Sequence, residues 1–149
     1  MMVNVFDVAA FILSKQGPMT AMKLQKLVYY SQAWSLVWDE EPLFNERIEA
    51  WANGPVVPQL YEAHRDMFKV DVQDIKGNPE ALNDTQKETI DVVLKDYGPK
   101  SSQWLSDLTH LEEPWRNARK GLANGERGHR EIRWAAMAEY YSSLLPAKC

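Results

Sequence analysis

Val5, Val8, Ala9, Ile12 and Leu13 fall at the three- and four-residue intervals that gather side chains on one face of a helix. Asn4 can cap that helix and Gly17-Pro18 stops it, so the pattern predicts a first helix from Val3 to Lys15. Thr20 is a natural cap for a second helix reaching about Trp38. Leu24, Leu27, Val28, Trp34 and Trp38 share one broad face, and Tyr30, Ala33 and Val37 make the other side apolar too. A helix apolar on both sides belongs in the middle of a fold. Leu27 and Trp34 are therefore expected in the core, while Lys23 and Lys26 are expected to reach solvent along their stems.

Beyond the second helix the period changes. Glu46 to Trp51 alternates, with Ile48 and Ala50 on one side and Arg47, Glu49 and Trp51 on the other, which is compatible with a short strand. Asn53-Gly54-Pro55 and Pro58 then punctuate the chain. Residues before prolines are pushed towards extended backbone, so Gly54 to Val57 is expected to be non-helical, with Gly54 at positive φ. Pro58 suits the first position of a helix running to Phe68, with Leu60, His64 and Met67 on one stripe. Val70 to Ile75 reads as extended, and Asn83 or Asp84 opens a helix to about Tyr97. A shorter helix follows from Trp104 to Thr109, then a turn at Glu113-Pro114-Trp115. A loose basic loop holds Gly121, Gly125 and Gly128, and a last helix runs from Glu131 to Leu145. The expected fold class is mainly α: a single compact multi-helix domain over residues 1–149, with at most short extended or β segments.

Composition narrows the class. A chain of 149 residues can bury one core, and 45% hydrophobic against 26% charged residues is a globular rather than a disordered balance. No run approaches the roughly 18–20 apolar residues of a membrane span. Asp7 interrupts the first apolar stretch and no basic region precedes it, which argues against a secretory leader. Cys149 is the one cysteine, so neither an internal disulfide nor a cysteine zinc site is expected, and a cytoplasmic location fits. The formal charge is −4, yet it is unevenly spread. Asp39 to Glu49 is strongly acidic apart from Arg47, and Arg116 to Arg133 is basic apart from Glu126 and Glu131. Such segments are either solvated surface or docking sites for a charged partner.

The side chains offer little catalytic chemistry. His64 lies near Glu62 and Asp66, and His110 near Glu112 and Glu113, but residues two apart on a helix point to different faces. There is no His-Glu-x-x-His, phosphate-loop or Gly-x-Ser-x-Gly pattern. No catalytic residue, cofactor or metal ligand is assigned. A small enzyme using His64 or His110 with nearby carboxylates, or a nucleic-acid-associated regulator using Arg116–Arg133, stands as the alternative. Six tryptophans and six tyrosines are many for this length, and such residues anchor interfaces as well as cores.

Four blocks carry a resemblance: "TAMKLQKLVYYSQAWSLVW" (Thr20–Trp38), "PLFNERIEAWANGPVVPQLYE" (Pro42–Glu62), "LSDLTHLEEPWRNAR" (Leu105–Arg119) and the closing "IRWAAMAEYYSSL". Together they resemble the Panacea domain of SocA-like antitoxins, also called the phage-associated GepA-like family. The resemblance implies a mainly α-helical antitoxin that neutralises a cognate protein toxin by direct contact, the toxin being encoded by an adjacent gene. Delivery of the toxin to a protease is a further role within such systems. Some members carry an added DNA-binding domain, for which this chain has no room, so direct nucleic-acid contact is not expected.

Glu49, Ala50, Trp51, Gly54, Pro55 and Val56 match the family motif. Read as structure, the corner they form locks a helix start against the core. Read as function, it is the candidate partner-binding site, comprising Trp51, Gly54, Pro55, Tyr61 and Arg65.

Overall fold

The computed structural model describes residues 3–144. Its first helix, α1 (Val5–Gln16), is closed by a reciprocal cap: Asp7 N–H donates to Asn4 Oδ1 at 3.0 Å and Asn4 N–H donates to Asp7 Oδ2 at 3.1 Å. After β1 (Met19–Thr20), the hydroxyl of Thr20 accepts from Lys23 N–H and starts α2 (Ala21–Trp38). The chain continues through the strands β2 (Glu49–Trp51) and β3 (Gly54–Val56), the helix α3 (Pro58–His64) and the strand β4 (Lys69–Val70). Two short 3-10 turns precede α4 (Asp84–Tyr97), α5 (Ser102–Leu111), α6 (Glu113–Ala118) and α7 (Trp134–Ser143). β1 pairs antiparallel with β4, and β2 with β3. The fold is mainly α.

The second helix is the hub. Every residue from Leu24 to Ser35 is buried, and α1, α4, α5, α7 and β3 pack against it. Leu27 is fully buried and Trp34 nearly so, as the two-sided apolar pattern implies. Polar groups on such a helix must find partners inside the protein. Gln32 accepts from Leu43 N–H at 2.7 Å and donates to Phe44 C=O at 2.8 Å. Two turns earlier, Gln25 accepts from Val57 N–H at 2.9 Å and donates to Val57 C=O at 3.3 Å. Each amide thus replaces a backbone pairing that the irregular segments beside α2 would otherwise lack.

A second polar cluster ties the last helix to the hub. Glu112, buried between α5 and α6, accepts from the hydroxyls of Tyr30 and Tyr141 at 2.7 Å each, and the Tyr141 oxygen, its one proton so used, accepts from the Tyr29 hydroxyl at 3.1 Å. Burial raises the Glu112 carboxyl above its usual range, while the two tyrosine hydroxyls hold it back towards the charged form.

Four segments depart from the sequence pattern. α3 ends at His64 rather than at Phe68, because the chain turns at Arg65 and Asp66 so that Val70 can pair with Met19. Phe68 is left 78% exposed, its carbonyl accepting from Ala21 N–H. Val72–Asp74 is a 3-10 turn capped by Asp71 instead of extended chain. Glu113-Pro114-Trp115 opens a helix of its own, with Pro114 in its first turn. The last helix starts at Trp134, because Ile132 N–H is drawn to Ile48 C=O at 2.8 Å and Glu131 bridges Glu49. The far end of the expected helix, Leu145, lies outside the described residues.

Leu27→Ala should cost about 2–5 kcal/mol, since the site is closed on all sides and cannot collapse freely. The denaturation midpoint of the purified variant measures this, and a midpoint equal to the parent's would contradict the placement.

Candidate functional site

The hairpin β2–β3 turns through Ala52-Asn53, with Ala50 opposite Pro55 and Trp51 opposite Gly54. Gly54 sits at φ 131°, a conformation that side chains rarely tolerate. The backbone carbonyls of this hairpin are gripped by side chains from the C-terminal half of the chain. Ser106 Oγ donates to Asn53 C=O, Trp115 Nε1 to Trp51 C=O at 2.8 Å, and the buried Arg119 to Ala50 C=O at 3.1 Å. On the outer edge Ala50 N–H donates to Arg130 C=O. The corner is therefore held from both sides.

An open cavity of about 570 Å³ lies between this corner, the first turns of α2, α3 and the 127–129 loop. Trp51, Tyr61 and Arg65 all line it, so three of the five expected contact residues share one wall. Trp51 and Tyr61 meet edge to face at 4.9 Å, and Trp51 Nε1 donates to Glu49 Oε1 at 2.9 Å. Those contacts fix both rings while leaving each partly exposed. Arg65 is exposed and only loosely paired with Glu62 at 3.7 Å. Gly54 and Pro55 are buried behind the wall, where they set its backbone rather than present a side chain.

Sequence reasoning missed the floor. Lys26 was expected to reach solvent, yet the residue is 1% exposed and lines the cavity. Its stem passes beneath Gly54: a Cβ on that glycine would lie 2.4 Å from Lys26 Cε and 3.0 Å from Nζ. Among the described residues no hydrogen bond or ion pair reaches Lys26, and the fully enclosed side-chain nitrogen left without a partner is His110 Nε2. Burial accordingly pushes its ammonium down from 10.5 to about 8. The available signal was the two-sided apolar pattern itself, because a lysine on such a helix has no polar face by which to leave.

Beside it, His64 is 4% exposed and its Nε2 lies 2.9 Å from Gln25 Nε2. Gln25 Oε1 already accepts from Val57 N–H, so the amide nitrogen donates and His64 Nε2 accepts. That arrangement needs a neutral ring, and burial lowers the histidine's proton affinity in the same direction. His110 does not meet Glu112: its ring stacks on Trp115 at 4.1 Å while Glu112 faces the tyrosines. Burial first, and then the charges of Lys26 and Arg119, hold His110 down, against the opposing pull of its bond to the Asn53 backbone and of Asp107.

The basic loop is less loose than its glycines suggest. Arg119 is buried and also donates to Ala123 C=O and Glu126 C=O, and Arg130 donates to Lys120 C=O. Where the acidic and basic segments meet, Arg47 reaches Glu131 at 3.4 Å as well as Glu49 of its own segment at 2.9 Å, and His129 Nδ1 lies 3.6 Å from Glu49. Arg127 and His129 from this loop complete the cavity wall.

Two outcomes follow from the geometry. Gly54→Val should destabilise the protein by about 1–3 kcal/mol or more, because the new side chain is strained at this φ and collides with Lys26. A parental melting curve for the variant would show that the close approach is relieved without cost. Lys26→Met, by contrast, removes an unpaired buried charge and keeps a flexible chain of similar volume. The folded lysine binds its proton more weakly than the unfolded one, so the unfolded state holds more protons between pH 8 and 10.5 and stability rises with pH there. Below that window the penalty is complete. The variant should therefore gain on the order of 3 kcal/mol at pH 7. Denaturant midpoints of both chains should converge as pH rises from 8 to 10, before the buried tyrosines Tyr29, Tyr30 and Tyr141 oppose the trend.

The family model described as antitoxin SocA-like, Panacea domain, matches residues 24–116. That span is more than half of the chain and covers most of α2, the hairpin, α3 and, of the residues that clamp the hairpin, Ser106 and Trp115. No curated protein and no solved structure matches the chain. The chain belongs to the SocA-like antitoxin family by its Panacea domain.

Proposed function

We propose that this protein is the antitoxin of a toxin–antitoxin pair and neutralises its cognate protein toxin by direct, non-enzymatic binding. The family places it in a toxin–antitoxin-related role, and the observation that favours contact through the corner is the shared wall of Trp51, Tyr61 and Arg65 at the mouth of the cavity. Aromatic and arginine side chains are the usual anchors of an interface, and Trp51 and Tyr61 are already held in place, so little entropy is lost when they are covered. Gly54 and Pro55 serve the same contact by holding the wall. The exposed charges of the 39–49 and 116–133 segments steer the encounter and set partner choice. On this reading the chain acts as one Panacea-type unit in the cytoplasm, and the toxin is the product of an adjacent gene. No helix among the described residues is long and apolar enough to cross a membrane.

The test is to induce the neighbouring gene with and without this chain and to recover the pair together. Growth arrest by the neighbour alone, rescue by this chain and a stable complex are expected. Trp51→Ala and Arg65→Glu, folded by their melting curves, should lose rescue. A toxin level that stays constant during rescue indicates occlusion, and one that falls indicates delivery to a protease. Equal toxicity with and without the chain, or rescue with no complex, would refute the reading.

A further inference from the structure

We infer that Lys26 is the receiving group for a carboxylate of the protein partner: an acidic side chain flanked by apolar residues enters the cavity between the hairpin and α3 and pairs with the ammonium at its floor. The inference rests on the contact reading above and names the chemistry which that reading leaves open.

Four observations carry it. The Lys26 side chain is buried and its ammonium has no hydrogen-bond or ion-pair partner among the described residues, yet the residue borders an open cavity rather than the closed core. Among the described residues no carboxylate pairs with it: Glu62 and Asp66 are exposed on the cavity wall, Glu62 only loosely joined to Arg65, and the neighbouring His64 and His110 carry no negative charge. The lysine stem lies directly against Gly54, whose φ of 131° few side chains tolerate and whose added Cβ would stand 2.4 Å from Lys26 Cε. Arg65 and Arg127 add positive charge to the walls.

The rim decides the source of the carboxylate. Met22 and Met67 are about 40% exposed at the mouth, and Phe68 adjoins them through its carbonyl bond to Ala21. Adaptable apolar side chains around a cationic floor suit a peptide segment better than a lone hydrated anion, which would leave the rim and most of the cavity unused. An entering carboxylate would receive charge-assisted bonds from the ammonium in a site screened from water. It would also return to Lys26 the proton affinity that burial removes, so binding and protonation are linked.

The experiment follows the Lys26 side chain by carbon-13 NMR across a pH titration of the whole chain. The probes are the capped tripeptide acetyl-Leu-Glu-Phe-amide, its Gln analogue, sodium acetate, sodium chloride at matched ionic strength, and the adjoining gene's product. The Glu peptide and the adjoining product should each raise the Lys26 midpoint by about one pH unit or more, while the Gln peptide and chloride leave it in place. Lys26→Met should bind the adjoining product about tenfold or more weakly, although its fold is more stable than the parent's. If the product binds both chains alike and leaves the Lys26 midpoint unmoved, this inference is wrong and the contact reading stands. If the parent chain does not bind the product, the contact reading itself fails and this inference with it. An acetate effect as large as the Glu peptide's would make the cavity a small-anion site and overturn the choice of a protein partner.

Discussion

A helix enclosed on every side leaves its polar side chains no route to water, and α2 is such a helix. Whatever packs against it must either be apolar or supply hydrogen bonds. Gln25 and Gln32 meet this condition by pairing with the backbone of Val57 and of Leu43-Phe44, two places where the neighbouring chain is irregular. Ser31 and Ser35 turn to carbonyls at Leu27 and Glu41. Each pairing contributes only about 1 kcal/mol net, but leaving any of these groups unmade would cost more. The path of the chain around α2 is fixed accordingly.

The corner inherits its position from that constraint. Gln25 anchors Val57, the last residue before α3, and so sets where β3 ends and where the helix carrying Tyr61 and Arg65 begins. Side chains from α5 and α6 then hold the other half of the hairpin through its carbonyls. α6 is in turn tied to α2 and α7 by Glu112 and its tyrosines. Three long-range polar clusters thus converge on one hairpin. Lys26 differs from them: among the described residues its ammonium has no hydrogen-bond or ion-pair partner, and it lies where the cavity opens.

Much of the fold was legible because helix limits are written within a few residues. Asn4 with Asp7, Thr20 with Lys23, Asn83 with Gln86 and Ser101 with Trp104 each close a cap across a three-residue gap. The turn at Gly54 was equally local, since a glycine between an extended segment and two prolines has few conformations open to it. The wall of the site was partly visible for the same reason: Trp51, Tyr61 and Arg65 flank one short corner. Its floor was not.

The chain by itself determined where helices start and stop, that α2 is central, and that the corner is extended, because caps, proline restrictions and apolar periodicity act over three to seven residues. Tertiary structure decided the rest. α3 stops early because Val70 pairs with Met19, fifty-one positions away. The basic loop is ordered because Arg119 turns inward to backbone carbonyls and Arg130 ties Lys120 across the surface, and Glu112 lies with tyrosines rather than with His110. Lys26 is buried because Gly54 leaves room for its stem and because the hairpin closes over it. A charged side chain's burial depends on what distant segments bring to it, and no local pattern holds that information.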